Sequence, residues 1–171
     1  MTQIIGGITT SHVPAIGRAI AKNLQQDPYW KPLFDGFVPN RKWLAEVKPD
    51  VVVVLYNDHG LNFFLDKMPT FSIGAAPEYR NADEGWGIPT VPPFKGDPAL
   101  SWHLIEPLVG EEFDLTTCQE MKVDHAFTLP MALLCQTSNG LCALCRFAST
   151  PLEHGVWADA AGAGGLSLNP A

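Results

Sequence analysis

Short apolar runs alternate with helical patterns along this chain, and their order predicts the fold. The most apolar run is VVVVLY at residues 51–56, which is typical of a parallel strand buried on both faces. Three further segments predict short strands, namely QIIGGITT at 3–10, TFSIG at 70–74 and FDLTTC at 113–118. Between these segments lie helical patterns at YWKPLFDGF (29–37), RKWLAEV (41–47), ALSWHLIEPLV (99–109) and LPMALL (129–134).

Two of the predicted helices carry a start signal. Asp27-Pro28 and Asp97-Pro98 each place an N-cap aspartate before a proline at the first helical position. Strands that alternate with helices are joined by crossover connections, which favour parallel pairing. We therefore expect an α/β fold with a central, mostly parallel sheet and flanking helices, and with its C-terminal part truncated.

The pattern changes after Leu134. Residues 135–171 have no period of 2 or 3.6 and end in an Ala/Gly run, so we expect a tail that is either disordered or frame-shifted. Residues 1–134 then form the organised part of the chain. Cys142 and Cys145 make a C-x-x-C in this tail, but no second pair accompanies it, so a zinc or redox role is the less favoured interpretation.

Composition limits the classes of partner. A chain of 171 residues has room for one domain, and the net charge of -7 with a pI near 5.1 argues against nucleic acid and against a basic membrane patch. No run reaches the roughly 20 apolar residues that span a bilayer, and the N-terminus lacks the features of a signal peptide. We expect a cytoplasmic protein with reduced cysteines.

Two histidines follow predicted strands. His12 and His59 come after the first strand and the valine strand, so in an open α/β sheet both would lie at the carboxyl edge, where ligands bind. Imidazole nitrogens are common ligands of Fe(II) and Zn(II), and a metal would satisfy the polar cluster of Asn57, Asp58 and His59 at the strand end. For either histidine alone, a hydrogen-bonded polar group without metal is the more favoured interpretation.

Other polar residues leave alternatives open. His125 follows Asp124 as His59 follows Asp58, which suits either a group beside the site or a helix entry. Asp83 and Glu84 would supply a carboxylate ligand or serve as solvated or capping groups. The remaining candidates favour structural roles. We expect His103 to be a packing or surface residue and Trp86 to pack over its loop rather than stack on a ring, while His154 lies in the tail.

Several motifs in order carry a family resemblance. They are GGITTSHVPAIG, VVVLYNDHG, PTFSIG, ADEGWG, KGDPALSWHL and VDHAFTLP. From about residue 3 to residue 134 the chain resembles the N-terminal half of class III extradiol ring-cleaving dioxygenases, specifically the catalytic (β) subunit of the protocatechuate 4,5-dioxygenase type.

The resemblance implies an iron enzyme of aromatic-compound catabolism. It implies Fe(2+) as cofactor, and meta cleavage of a catecholic aromatic acid such as protocatechuate or gallate with O2. It implies His12 and His59 as metal ligands and His125 as a catalytic group beside them. It also implies a small α subunit or a homo-oligomer as partner.

The chain departs from the family in its later part. The glutamate that completes the ligand set and the acid/base histidine have no counterpart here, so we expect a truncated or frame-shifted product with weakened iron binding and little or no activity. Two alternatives remain at this stage: a zinc-dependent hydrolase-like protein that activates water, and a non-catalytic fragment that associates with full-length subunits.

Overall fold

A computed structural model describes residues 3–85, 90–137, 140–141 and 146–151, with side chains as far as residue 135. Four residues considered from the sequence lie outside this part of the chain: Trp86, Cys142, Cys145 and His154.

Five helices occur in the described part of the chain. They are α1 (Pro14–Ala21), α2 (Lys31–Gly36), α3 (Val38–Val47), α4 (Pro98–Gly110) and α5 (His125–Leu134). The first four have proline in their opening positions, where the missing N–H would have had no intrahelical acceptor. Asp97 caps α4 as predicted, since its side chain accepts from the backbone N–H of Leu100 at 3.1 Å.

Nine short strands accompany these helices in the residues that the structure describes. They are β1 (Val51–Tyr56), β2 (Phe71–Gly74), β3 (Glu78–Asn81), β4 (Phe94–Lys95), β5 (Leu115–Cys118), β6 (Lys122–Val123), β7 (Gln136–Thr137), β8 (Gly140–Leu141) and β9 (Arg146–Pro151). The pairs β1–β9, β2–β5 and β3–β6 are parallel, while β3–β4 and β7–β8 are antiparallel. The predicted α/β class, mostly parallel with flanking helices, is confirmed.

Helix α5 is the element that both larger apolar clusters share. Phe127 is fully buried and contacts the rings of Tyr56 and Phe94 edge to face, with centroids 5.6 and 4.9 Å apart. On its other side Leu133, also fully buried, packs with Ile16 and with further residues of α1 and α2. This packing fixes the N-terminus of α5 against the end of β1, where the candidate site lies.

Three sequence expectations differ from the structure. Helix α2 begins at Lys31 with Trp30 as its N-cap, so Asp27 is not the cap that the sequence predicted for it. Residues 3–10 form no strand: the segment pairs with no described strand, and Ile4 and Ile5 remain exposed. Strand β1 is not buried on both faces, because Val53 and Leu55 are about half exposed while Val52 and the residues in phase with it face the core. The four-valine run therefore behaves as a strand with one buried face.

The division of the chain at Leu134 stays a prediction. Helix α5 ends at that residue, and three of the short strands lie in the described residues between 136 and 151. Within the described residues, every helix is too short or too polar to span a lipid bilayer.

Candidate functional site: a histidine cluster

Three histidines from distant parts of the chain meet in one cluster. His12 lies in the irregular segment before α1, His59 lies three residues after β1, and His125 is the first residue of α5. The ring centroids of His59 and His125 are 4.5 Å apart, and His12 lies 5.2 Å from the first and 5.8 Å from the second. We expected His12 and His59 to lie close together because each was predicted to follow a strand. The structure brings them together, although only His59 follows a strand.

Asp124 holds His59 in place. Its Oδ2 accepts the backbone N–H of His59 at 3.0 Å and lies 2.9 Å from ring Nδ1, while its Oδ1 accepts the N–H of Ala126 at 2.9 Å. The side chain of Asp124 is completely buried. One carboxylate thus caps α5 and ties the end of β1 to it.

Glu84 holds His125 in the same manner. Oε2 of Glu84 accepts the backbone N–H of His125 at 2.7 Å, and Oε1 lies 2.8 Å from ring Nδ1. Because a carboxylate only accepts hydrogen bonds when ionised, both histidines carry their proton on Nδ1 when neutral. Their Nε2 atoms then have the lone pair.

The loop after β1 is folded around Asp58. Its carboxylate accepts the backbone N–H groups of Leu61, Asn62 and Phe63 at 2.9 to 3.2 Å, and Gly60 takes a positive φ of 73° to allow the turn. The Asn62 amide pairs with the backbone of Lys122: Nδ2 donates to the carbonyl at 2.9 Å, and Oδ1 accepts the N–H at 3.0 Å. These bonds fix the loop with His59 to β6, two residues before Asp124.

Electrostatics favour a neutral His12. Burial lowers its pKa below the ordinary value, the positive charges that His59 and His125 can carry lower it further, and Asp124 opposes the shift. The lowered pKa means that His12 resists protonation in this cluster. The neutral imidazole that results is the form that binds metal ions.

Exposure differs across the cluster. The side chains of Asp124 and His125 are 0% and 6% exposed, that of Glu84 is 19%, and that of His59 is 34%. The cluster is therefore anchored in the core and open to solvent on the side of His59.

One described group of side chains could hold a metal ion. Ligand atoms of His59, Asp124 and His125 all lie within 4.8 Å of one another. Binding through Asp124 Oδ2 would, however, break its two hydrogen bonds to His59. The geometry favours Asp124 as the residue that orients His59, in the way that carboxylates commonly hold metal-binding imidazoles.

The sequence indicated some of these residues and missed others. His12, His59 and His125 were candidates, and the structure brings them together, whereas His103 lies on the exposed side of α4. The roles of Asp124 and Glu84 were missed. Asp124 carried a signal, because an aspartate directly before an apolar helix is an N-cap, but the contact of Glu84 spans 41 residues and has no local signature.

Comparison with known proteins identifies the family. The profile of the "catalytic LigB subunit of aromatic ring-opening dioxygenase" matches residues 6–158. The chain belongs to this family of aromatic ring-opening dioxygenases, as the resemblance predicted.

Curated relatives carry related names. The chain is 31% identical over 134 residues to 2,3-dihydroxyphenylpropionate/2,3-dihydroxicinnamic acid 1,2-dioxygenase of Photorhabdus laumondii, covering 75% of this chain and 38% of that protein. A protein of the same name from Rhodococcus jostii is 28% identical over 129 residues, which cover 74% of this chain and 38% of that protein. Gallate dioxygenase of Pseudomonas putida is 40% identical over 53 residues, which cover 31% of this chain and 16% of that protein. The chain thus spans less than half the length of these relatives.

Proposed function

We propose that the histidine cluster is the N-terminal part of a non-haem Fe(II) site for extradiol ring cleavage. In this proposal His12 and His59 bind the metal, and His125 is the catalytic group that contacts substrate or dioxygen. The observation that carries the proposal is the meeting of these three histidines within 5.8 Å, centroid to centroid, in a chain of the ring-opening dioxygenase family.

The donor set suits ferrous iron. The Asp124 contact leaves His59 Nε2 as its acceptor atom, and the lowered pKa of His12 favours the neutral form that binds metals. Imidazole ligands combined with oxygen ligands are typical of non-haem Fe(II) sites. Two protein histidines leave coordination positions for other ligands, as a reaction of two substrates at one metal requires.

Bound iron would supply part of the chemistry, and residues of this chain would supply the rest. Bound ferrous iron would bring the two adjacent hydroxyl oxygens of a catechol and dioxygen to one centre. His125 is placed to take or return a proton through Nε2, because Glu84 holds its Nδ1 proton. Asn57 has a buried Oδ1 without a hydrogen-bond partner among the described residues, which suits a donor from a bound molecule.

The proposed substrate follows from chemistry and from relatives' names. Those names refer to 2,3-dihydroxyphenylpropionate, 2,3-dihydroxicinnamic acid and gallate. We propose a catecholic aromatic acid of this class, protocatechuate or gallate included, as substrate in aromatic-compound catabolism. A cytoplasmic location and a small α subunit or a second copy as partner belong to the same proposal.

Oxygen uptake tests the proposal directly. The purified chain is loaded anaerobically with Fe(II), mixed with each of the four acids, and followed by an oxygen electrode and by the absorbance of the ring-opened product. We expect substrate-dependent uptake that is slow, because two protein histidines alone bind iron weakly, and that disappears in His12→Ala. Uptake that persists in this variant, or no uptake with any acid, would overturn the proposal for this chain.

Two further measurements separate the alternatives. Zinc in place of iron after anaerobic purification, with ester hydrolysis abolished by His59→Ala, would favour the hydrolase. Co-elution with a full-length subunit in size-exclusion chromatography, without any turnover by the chain alone, would favour a non-catalytic associating fragment.

A further inference from the structure

We propose that Glu84 is a positioning residue that fixes the ring orientation and the tautomer of His125. This inference rests on the proposed function for its catalytic meaning, but its structural content can be tested without turnover. It starts from the two short contacts that the Glu84 carboxylate makes with one residue, at 2.7 Å to backbone N and at 2.8 Å to ring Nδ1.

The two contacts together define the orientation of the ring. The backbone N–H fixes one carboxylate oxygen, since it is an obligatory donor at the start of α5 with no intrahelical acceptor. The other oxygen then lies against Nδ1 and holds a proton there. The side chain of His125 is 6% exposed, so little water competes for this proton.

The negative charge of Glu84 is well placed for a second reason. His125 is the first residue of α5, where the backbone N–H groups give the helix its positive end. Asp124 Oδ1 already accepts the N–H of Ala126, and Glu84 accepts the N–H of His125. The two carboxylates therefore satisfy different donors of the same helix start and do not compete.

The arrangement occurs twice in the cluster. Asp124 accepts both the backbone N–H and Nδ1 of His59, just as Glu84 accepts both from His125. The carboxylates come from unrelated segments, so the repetition is not a consequence of local sequence. Two histidines held in the same tautomer, with centroids 4.5 Å apart, give the cluster two oriented Nε2 atoms.

Loop geometry explains how Glu84 reaches the helix. Asp83 Oδ1 accepts the N–H of Gly85 at 3.0 Å, and Gly85 has a φ of 69°, which glycine adopts without strain. This turn directs Glu84 inward and leaves Asp83 exposed. A role for Glu84 as a metal ligand is less favoured, because both of its oxygens are occupied by His125.

Glu84→Gln gives a sharp test, because an amide has only one acceptor atom. The backbone N–H of His125 cannot change its role, so the Gln oxygen should face it and the Gln amino group should face Nδ1. Nδ1 must then accept, which moves the ring proton to Nε2. Nitrogen-15 NMR of histidine-labelled, metal-free chain distinguishes these tautomers, and His125→Ala identifies the signal.

We expect the Nδ1–H pattern for His125 in the wild-type chain and the Nε2–H pattern in Glu84→Gln. The matched control is Glu78→Gln, the same substitution at an exposed carboxylate of β3 that pairs with Arg80 at 3.5 Å; it should retain the wild-type pattern. Glu84→Ala should give a mixture. An unchanged Nδ1–H pattern in both Glu84 variants would overturn the proposal.

The catalytic readout is a split between kcat and KM. In the iron-loaded chain we expect Glu84→Gln to lower kcat by about 10- to 100-fold while iron content and KM stay near wild type. A loss of bound iron as large as the loss of kcat would indicate a metal-binding role for Glu84 instead and would overturn this part of the proposal. If the wild-type chain shows no turnover, the proposed function fails, whereas the NMR result still decides the role of Glu84.

Discussion

Single residues in this site work in pairs of one carboxylate and one histidine. Asp124 and Glu84 each bind the backbone and the ring of one histidine. Each pair joins segments that are far apart in sequence, 65 residues in one case and 41 in the other. The residues that determine orientation are thus as much a part of the site as the histidines.

Asp124 should contribute more to the free energy of unfolding than an ordinary N-cap residue does. In Asp124→Ala the chain loses the cap of α5 and leaves His59 without its buried acceptor, so we expect a loss of about 2 to 4 kcal/mol in the free energy of unfolding. Urea denaturation followed by circular dichroism measures this loss.

The matched control is Asp97→Ala, which removes the aspartate cap of α4. It should cost about 1 kcal/mol, the usual value for an N-cap. Equal losses for the two variants would show that the bond to His59 contributes nothing to stability.

The site could be predicted from the sequence only at the level of residue type. Histidines after an apolar strand or before a helix stand out in the sequence, and His12, His59 and His125 were found in this way. Their partners could not be identified, because Glu84 occupies an ordinary polar loop and its contact depends on how that loop folds back onto α5.

At the scale of elements, the loop between β1 and β2 is attached to β6 through Asn62. The amide makes a two-bond pair with the backbone of Lys122, as a neighbouring strand would. In Asn62→Ala we expect both bonds to be lost and the Lys122 amide proton to exchange faster with deuterium, by about tenfold.

Hydrogen exchange with mass spectrometry at peptide resolution measures this effect. Gln119→Ala is the control, because that exposed side chain makes a long hydrogen bond of 3.4 Å to Thr117. Unchanged exchange at Lys122 in Asn62→Ala would show that the loop is held by other contacts.

Gly96 permits a close approach between the β4 end and the segment after β2. A Cβ at this position would collide with the carbonyl oxygen of Ala76 and the ring of Tyr79, which is fully buried. We expect Gly96→Ala to lower the free energy of unfolding by about 1 to 3 kcal/mol, as overpacking does. Thermal unfolding would detect this loss.

Gly110 provides the control, since a Cβ there meets no atom within 4 Å. It ends α4 with a helical backbone, so Gly110→Ala should be neutral or stabilising by up to about 1 kcal/mol. A Gly96→Ala variant as stable as Gly110→Ala would contradict the close approach.

Most elements with their own sequence signals were predicted well, although Asp27-Pro28 did not mark the start of α2. The Asp97-Pro98 pair marked the start of α4, and the apolar run at 51–56 matched β1 residue for residue. The segment 3–10 was not a strand, because an apolar run becomes a strand only where a partner lies beside it. The exposed face of β1 could not be foreseen either, since valine suits both exposed and buried strand positions.

For the whole molecule, we propose that the chain alone supplies two iron ligands from separate segments. The family assignment covers residues 6–158, and the packing of α5 between two apolar clusters brings His12, His59 and His125 together. Because the chain spans 38% of the Photorhabdus laumondii relative, we propose metal binding by this chain ahead of turnover.

Anaerobic Fe(II) titration tests whether the chain supplies these two ligands. Wild-type chain, His12→Ala, His59→Ala and the control His103→Ala, which alters an exposed histidine of α4, are titrated in parallel by calorimetry. We predict saturable binding by the wild type and by His103→Ala, and affinity at least tenfold lower in the other two variants. Iron binding that is unchanged in both His12→Ala and His59→Ala would show that these histidines are not the iron ligands.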